Sequence, residues 1–191
     1  MSMSFSAATW GHKAHQKEQG KLPPLFPRNI GKNALRYLEE VIASGLSCDM
    51  IGRFEQAFAD AIGVKHCIAT PGCTPALAVL AASMPWEPGD EIIVSPITDY
   101  GTVQGLIAQQ LIPVFADTAP DSINADAHTI AKCITERTRA ILCVHMTGIV
   151  NDMDTINELA QQHGLIVYED ACQAVFGEYK NRLVGTLSKA A

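Results

Sequence analysis

The chain has 191 residues, 48% of them apolar and 18% charged, enough for one globular domain with a sizeable core. A formal net charge of −6 with no Lys/Arg cluster excludes the electrostatic footprint of a nucleic-acid binder. No apolar run approaches the roughly 20 residues of a membrane helix, and residues 1–21 lack the apolar stretch of a secretory signal.

Residues 1–28 combine Ser, Gly and Lys with the pair Pro23-Pro24 and show little periodicity, so they are read either as an N-terminal arm, of the kind that lies on a partner subunit, or as a poorly ordered leader. Leu35, Leu38, Val41 and Ile42 recur at helical spacing and predict a helix over 32–43. Phe54, Phe58 and Ile62 predict a second over 51–62, closed by Gly63. An alternation then sets in. Strands are expected over 66–69, 91–95, 112–116, 140–144 and 165–169, with helices over 75–83, 101–110, 125–134 and 153–163 between them. That order implies an α/β fold, a mostly parallel sheet with helices on both faces. After Ala174 the segment 176–184 reads as a hairpin turning near Lys180-Asn181.

In such sheets ligands bind at the carboxyl ends of the strands, and the candidate residues fall there. The stretch Thr70-Pro-Gly-Cys-Thr-Pro75 follows the first expected strand, with Thr74 as N-cap and Pro75 at the first helical position. Gly72, Cys73 and Thr74 then form either a phosphate cradle at a helix N-terminus or an ordinary strand-to-helix turn. Tyr100 is either a ring stacked on a flat ligand or a core or interface tyrosine. Asp170, ending the apolar run Leu165–Tyr168, is either a ligand-reading carboxylate or a cap on the next segment. His145 is either a ligand contact or a structural histidine. Gln173 adds an amide near Asp170. A phosphate cradle, a stacking ring, a carboxylate and an amide together match one planar phosphorylated ligand, pyridoxal 5'-phosphate, whose ring nitrogen needs a carboxylate partner.

The six cysteines show no C-x-x-C spacing and are read as buried, reduced thiols of a cytosolic (cytoplasmic) protein. The histidines show no H-E-x-x-H, so no metal site is expected. Neither G-x-G-x-x-G after a strand nor a P-loop occurs, which sets aside a nicotinamide-dependent Rossmann oxidoreductase.

From Ile30 to Leu187 the sequence resembles the DegT/DnrJ/StrS family of sugar aminotransferases, fold-type-I pyridoxal-phosphate enzymes. The resemblance rests on Arg53-Phe-Glu-Gln-Ala-Phe-Ala-Asp60, Gly72-Cys-Thr-Pro-Ala-Leu77, Pro88-Gly-Asp-Glu-Ile-Ile-Val94, Pro113-Val-Phe-Ala-Asp117, Thr135-Glu-Arg-Thr-Arg-Ala-Ile141 and Glu169-Asp-Ala-Cys-Gln-Ala174, in order and at matching spacing. It implies that 29–191 is an incomplete cofactor-binding large domain. By position, Cys73 and Thr74 would hold the phosphate, Tyr100 would stack on the ring, Asp170 would pair with the pyridine nitrogen and Gln173 would contact the ring oxygen. Gly72 and Cys73 stand where the family has Ser or Asn and then Gly, Ser or Ala. Lys189 falls where the family has Asp, so the Schiff-base lysine and the small domain are expected beyond Ala191. No catalytic residue is expected among the 191, and the chain alone is expected to be inactive. The implied reaction moves an amino group from glutamate or glutamine to a keto-sugar or keto-cyclitol, in a homodimer. A sugar dehydratase of the same family, and a non-catalytic remnant that dimerises with a full-length relative, stand as alternatives.

Overall fold

The structure is a computed structural model that describes residues 31–191. The arm expected over 1–28 lies outside the described residues. Helix α1 (Ala34–Ala43) matches the helix expected over 32–43. It belongs to a unit apart from Asp49–Ala191. At its end Ser44 Oγ donates to Val41 O at 2.8 Å.

The unit Asp49–Ala191 is organised around four strands: β1 (Glu91–Val94), β2 (Ile112–Phe115), β3 (Thr138–Val144) and β4 (Ile166–Asp170). Their order is β2-β1-β3-β4, and every pair is parallel. Helices α2 (Met50–Ile62) and α3 (Cys73–Ala82) precede β1. The crossovers are α4 (Tyr100–Ala108), α5 (Ala127–Ala131) and α6 (Met153–His163). Pro113 cannot donate to a ladder, and β2 is an edge strand, where that loss is tolerated.

Side chains alternate across the sheet with a period of two, and each face has its own core. Ile93, Ile141, Cys143 and Val167 meet Ile130 of α5 and Met153 and Ile156 of α6. Ile92, Val94, Leu142, Val144 and Tyr168 meet Leu77 of α3 and Val103 and Leu106 of α4. Burial of each large apolar side chain stabilises the fold by about 1.5–3 kcal/mol. The half-exposed pair Arg139–Asp90, at 3.0 Å, belongs to a class worth roughly 0–1 kcal/mol. The two cores decide the fold.

Helices α2 and α6 match expectation, and Gly63 closes α2 in the left-handed conformation at φ 82°. Lys180 and Asn181 both take positive φ, at 50° and 65°, between β5 (Glu178–Tyr179) and β6 (Arg182–Leu183). Two such residues make the turn that matches the twist of a tight hairpin. Three expectations need correction. Residues 66–69 form no strand: Ile68 is 77% exposed, and the Ala69 N–H goes to Glu55 Oε1 of α2 at 2.7 Å instead of to a ladder. Helix α5 stops at Ala131, because Cys133 N turns back to Ile130 O in a tightened last turn. Finally, α3 begins at Cys73 with Gly72 as its N-cap, so Thr74 is the second helical residue and not the cap.

Candidate functional site

Strand β4 ends in two adjacent carboxylates, Glu169 and Asp170, and the pleat sends them to opposite faces. Both are buried, at 1% and 2% exposure. They serve different ends.

Glu169 points to the α6 side. Its Oε2 is 3.0 Å from His145 Nε2 and accepts from Gly185 N at 2.9 Å. Its Oε1 accepts from Leu187 N at 3.0 Å and Ser188 Oγ at 2.8 Å. His145 Nδ1 receives Asn151 N at 3.2 Å, which assigns the ring proton to Nε2 and makes His145 a donor to Glu169. Burial pushes the Glu169 carboxyl up, but the donors from His145, Gly185 and Ser188 outweigh it and hold the pKa below the ordinary glutamate value. His145 is therefore the structural histidine of the two readings. It orients Glu169, which holds the segment after the hairpin through Gly185, Leu187 and Ser188.

Asp170 points to the α3/α4 side. Its Oδ2 accepts from Thr102 Oγ1 at 2.7 Å, and Thr98 Oγ1 donates to Thr102 Oγ1 at 2.7 Å. Its Oδ1 takes longer contacts, Cys73 Sγ at 3.4 Å and Cys172 N at 3.3 Å, and the Cys172 thiol is a further hydrogen-bond partner of the carboxylate. Among the described residues it has no cationic partner. Asp170 makes the local bond of a cap, to Cys172 N two residues on, and it is at the same time a carboxylate withdrawn from water, a state that costs free energy where it is not fully compensated.

What brings Cys73 to Asp170 is a close crossing of α3 and α4. A Cβ at Gly105 would lie 2.6 Å from Ala78 Cα, and one at Gly101 would lie 2.1 Å from Thr74 Oγ1. The two glycines, four apart on α4, thus receive Thr74 and Ala78, four apart on α3. This sets the N-terminus of α3 beside that of α4, where Asp99 caps through Gly101 N at 2.7 Å. Cys73 and Thr74 start α3 with no side-chain cap on their N–H groups. Gly72 is not demanded by space, since a Cβ there would meet only Pro75 Cδ at 3.8 Å.

The other expected residues are placed less centrally. Tyr100 opens α4 and is 67% exposed, neither a core tyrosine nor packed on the site. Gln173 is exposed, with its Oε1 taking Thr147 N at 2.9 Å. Sequence reasoning missed Thr98, Thr102 and Cys172. Thr98 and Thr102 recur at helical spacing just past a strand end, and that was the available signal.

The match to a family model covers residues 28–191 and is described as the DegT/DnrJ/EryC1/StrS aminotransferase family. The chain belongs to this family. It is 38% identical over 177 residues to the spore coat polysaccharide biosynthesis protein SpsC of Bacillus subtilis, covering 92% of this chain and 45% of that one. It is 34% identical over 176 residues to an L-glutamine:2-deoxy-scyllo-inosose aminotransferase of Streptomyces paromomycinus, covering 87% and 41%. An aminotransferase structure from Psychrobacter cryohalolentis superposes with a TM-score of 0.80 at 32% identity, covering 86% of this chain and 43% of that one. The chain thus spans less than half the length of these relatives.

Within this family's fold the thiols around Asp170 are poor nucleophiles. Burial pushes Cys73 well above the usual thiol range, and the Asp170 charge and the Cys172 thiol add to it. Cys172 is raised by burial, then by its hydrogen bond to Asp170 and that carboxylate's charge. Both are protonated at neutral pH. Lys189, exposed, sends its backbone N–H to Val167 O at 3.0 Å. At about 3.3 Å per residue, that position is roughly 10 Å along the strand from Asp170.

Proposed function

We propose that this chain forms the cofactor-holding part of a pyridoxal-phosphate-dependent aminotransferase acting on a keto-sugar or keto-cyclitol, with glutamate or glutamine as amino donor. The observation that carries the reading is Asp170, 2% exposed, with its shortest hydrogen bond on one oxygen and with no cation beside it among the described residues. A protonated pyridine nitrogen supplies the missing positive donor. When bound, the cofactor provides the electron sink that amino-group transfer requires. Asp170 would hold the ring nitrogen in its protonated state, with Thr102 fixing the carboxylate's orientation. The free N–H groups of Cys73 and Thr74 at the start of α3 would take the phosphate, as helix N-termini do. Tyr100 would cover the ring face by rotating inward, and Gln173 would reach the ring oxygen only by leaving Thr147.

A homodimer belongs to the same reading. Ile97 and Val175 are exposed apolar side chains within two residues of Thr98 and Gln173, which supports a second copy covering the site.

Pyridoxamine phosphate tests the reading without requiring a lysine. Fluorescence titration of the full chain should saturate, and Asp170→Asn should weaken binding at least tenfold. Unchanged affinity in that variant would overturn the assignment.

A further inference from the structure

The sequence shows no metal-ligand spacing, yet the fold brings three ligands of two types, two thiols and a carboxylate, to one point. Cys73 at the start of α3, Asp170 at the end of β4 and Cys172 just beyond it each offer an atom, and all three atoms lie within 4.8 Å of one another. Cys73 Sγ is already 3.4 Å from Asp170 Oδ1. We propose that these three residues form a binding site for a thiophilic divalent ion of the zinc type, occupying the same carboxylate that the cofactor ring would use.

Tetrahedral zinc binds sulfur at about 2.3 Å and carboxylate oxygen at about 2.0–2.2 Å, which spaces neighbouring ligands roughly 3.5–3.8 Å apart. The three ligand atoms lie within 4.8 Å of one another and close by roughly 1 Å to reach that spacing. Two thiolates and a carboxylate select zinc, cadmium or cobalt(II) over the hard ions magnesium and calcium, which take oxygen ligands. Coordination balances simply: the ion enters as a dication, each thiol releases one proton to solvent, and the carboxylate remains ionised. Cys172 is exposed and gives the ion its way in, while Asp170 anchors the inner side. Three protein ligands leave a fourth position open to water.

The consequence is exclusion. An ion on Asp170 Oδ1 and a cationic ring nitrogen would draw on the same buried negative charge, so the ion and the cofactor compete. This second step rests on the proposed function, whereas the metal site does not. The neighbouring hydroxyl of Thr102 serves either state, since it donates to Asp170 Oδ2 in both.

The test is a cobalt(II) titration of the full chain, reduced and under inert gas. Thiolate ligation gives a near-ultraviolet charge-transfer band with tetrahedral visible bands. One equivalent is expected, displaced by one equivalent of zinc. Cys172→Ser, at an exposed position, should lose most of the band and weaken affinity at least tenfold while retaining the parent circular dichroism. Cys67→Ser should retain both band and affinity. Absence of the band at saturating cobalt, or its survival in the Cys73→Ser/Cys172→Ser double variant, would overturn the site. The zinc-loaded chain is then titrated with pyridoxamine phosphate, and at least tenfold weaker binding than in the zinc-free chain is expected. Equal affinity with zinc still bound would overturn ligation by Asp170. If the zinc-free chain binds no pyridoxamine phosphate while the cobalt band is present, the cofactor reading fails and the metal site stands.

Discussion

The Thr102 hydroxyl donates to Asp170 Oδ2 at 2.7 Å, the shortest of the carboxylate's contacts, and Thr98 donates in turn to Thr102. The ladder runs one way, so both hydroxyl protons are directed toward Asp170. Replacing Thr102 by Val keeps the shape and deletes the donor. A hydrogen bond to a charged group contributes about 1.5–3 kcal/mol. Thr102→Val should therefore lower the urea-unfolding free energy by about that much, and Thr102→Ser should restore most of it. Loss of the same size in the Ser variant would show that the methyl group, not the hydroxyl, matters.

The crossing of α3 and α4 makes a second prediction. At Gly105 an added Cβ would sit 2.6 Å from the backbone of Ala78, which no side-chain rotation relieves. Gly105→Ala should destabilise by about 1–3 kcal/mol through overpacking, despite alanine's better helix propensity. It should also weaken pyridoxamine phosphate binding by separating Cys73 from Asp170. A variant as stable as the parent would show that the helices have room to part.

Glu169 makes a prediction about pH. Its pKa is lowered in the folded chain, so the stability it contributes is present above the unfolded glutamate value and is lost as pH falls through the folded one. Glu91 and Asp152 are lowered as well and contribute in the same direction. The urea midpoint of the parent chain should fall as pH drops below the ordinary glutamate range. In Glu169→Gln the fall should be shallower, because the remaining slope belongs to the other two. The variant also presents an amide where Gly185 N and Leu187 N donate, so limited proteolysis should cut sooner within residues 185–191. Parallel pH profiles for the two chains would remove Glu169 from this role.

How much of this was legible in the sequence follows from the range of each interaction. Helix α6 and the hairpin turn at Lys180-Asn181 are written in local pattern and turn chemistry, and both stand where expected. Residues 66–69 carry the composition of a strand, but a strand needs a partner, and Glu55 takes the Ala69 donor. Asp170 was marked by its place at a strand end. Its companion Cys73 is 97 residues away and Thr102 is 68 away, so only the crossing of two helices brings them together. The two roles of Glu169 and Asp170 were implicit in the period of two, given that both faces of the strand are buried. Cys73 and Cys172 meet only through the fold, so no local spacing such as C-x-x-C could have pointed to the proposed ion site.

Lys189 supplies the last prediction. It is the lysine nearest the family's lysine position in sequence, and its backbone is fixed by two ladder-like bonds on either side of it: Lys189 N to Val167 O at 3.0 Å and Glu169 N to Ala190 O at 2.9 Å. These bonds hold residues 189–190 along the flank of β4, with the Lys189 side chain exposed. Incubation of the full chain with pyridoxal phosphate, borohydride reduction and peptide mapping should leave Lys189 without a stoichiometric label. Lys189→Ala should bind pyridoxamine phosphate as the parent does, because Asp170 and the start of α3 do not depend on it. A one-to-one label at Lys189, lost together with cofactor affinity in the alanine variant, would instead make this lysine the anchor and require the 189–190 ladder to open on binding.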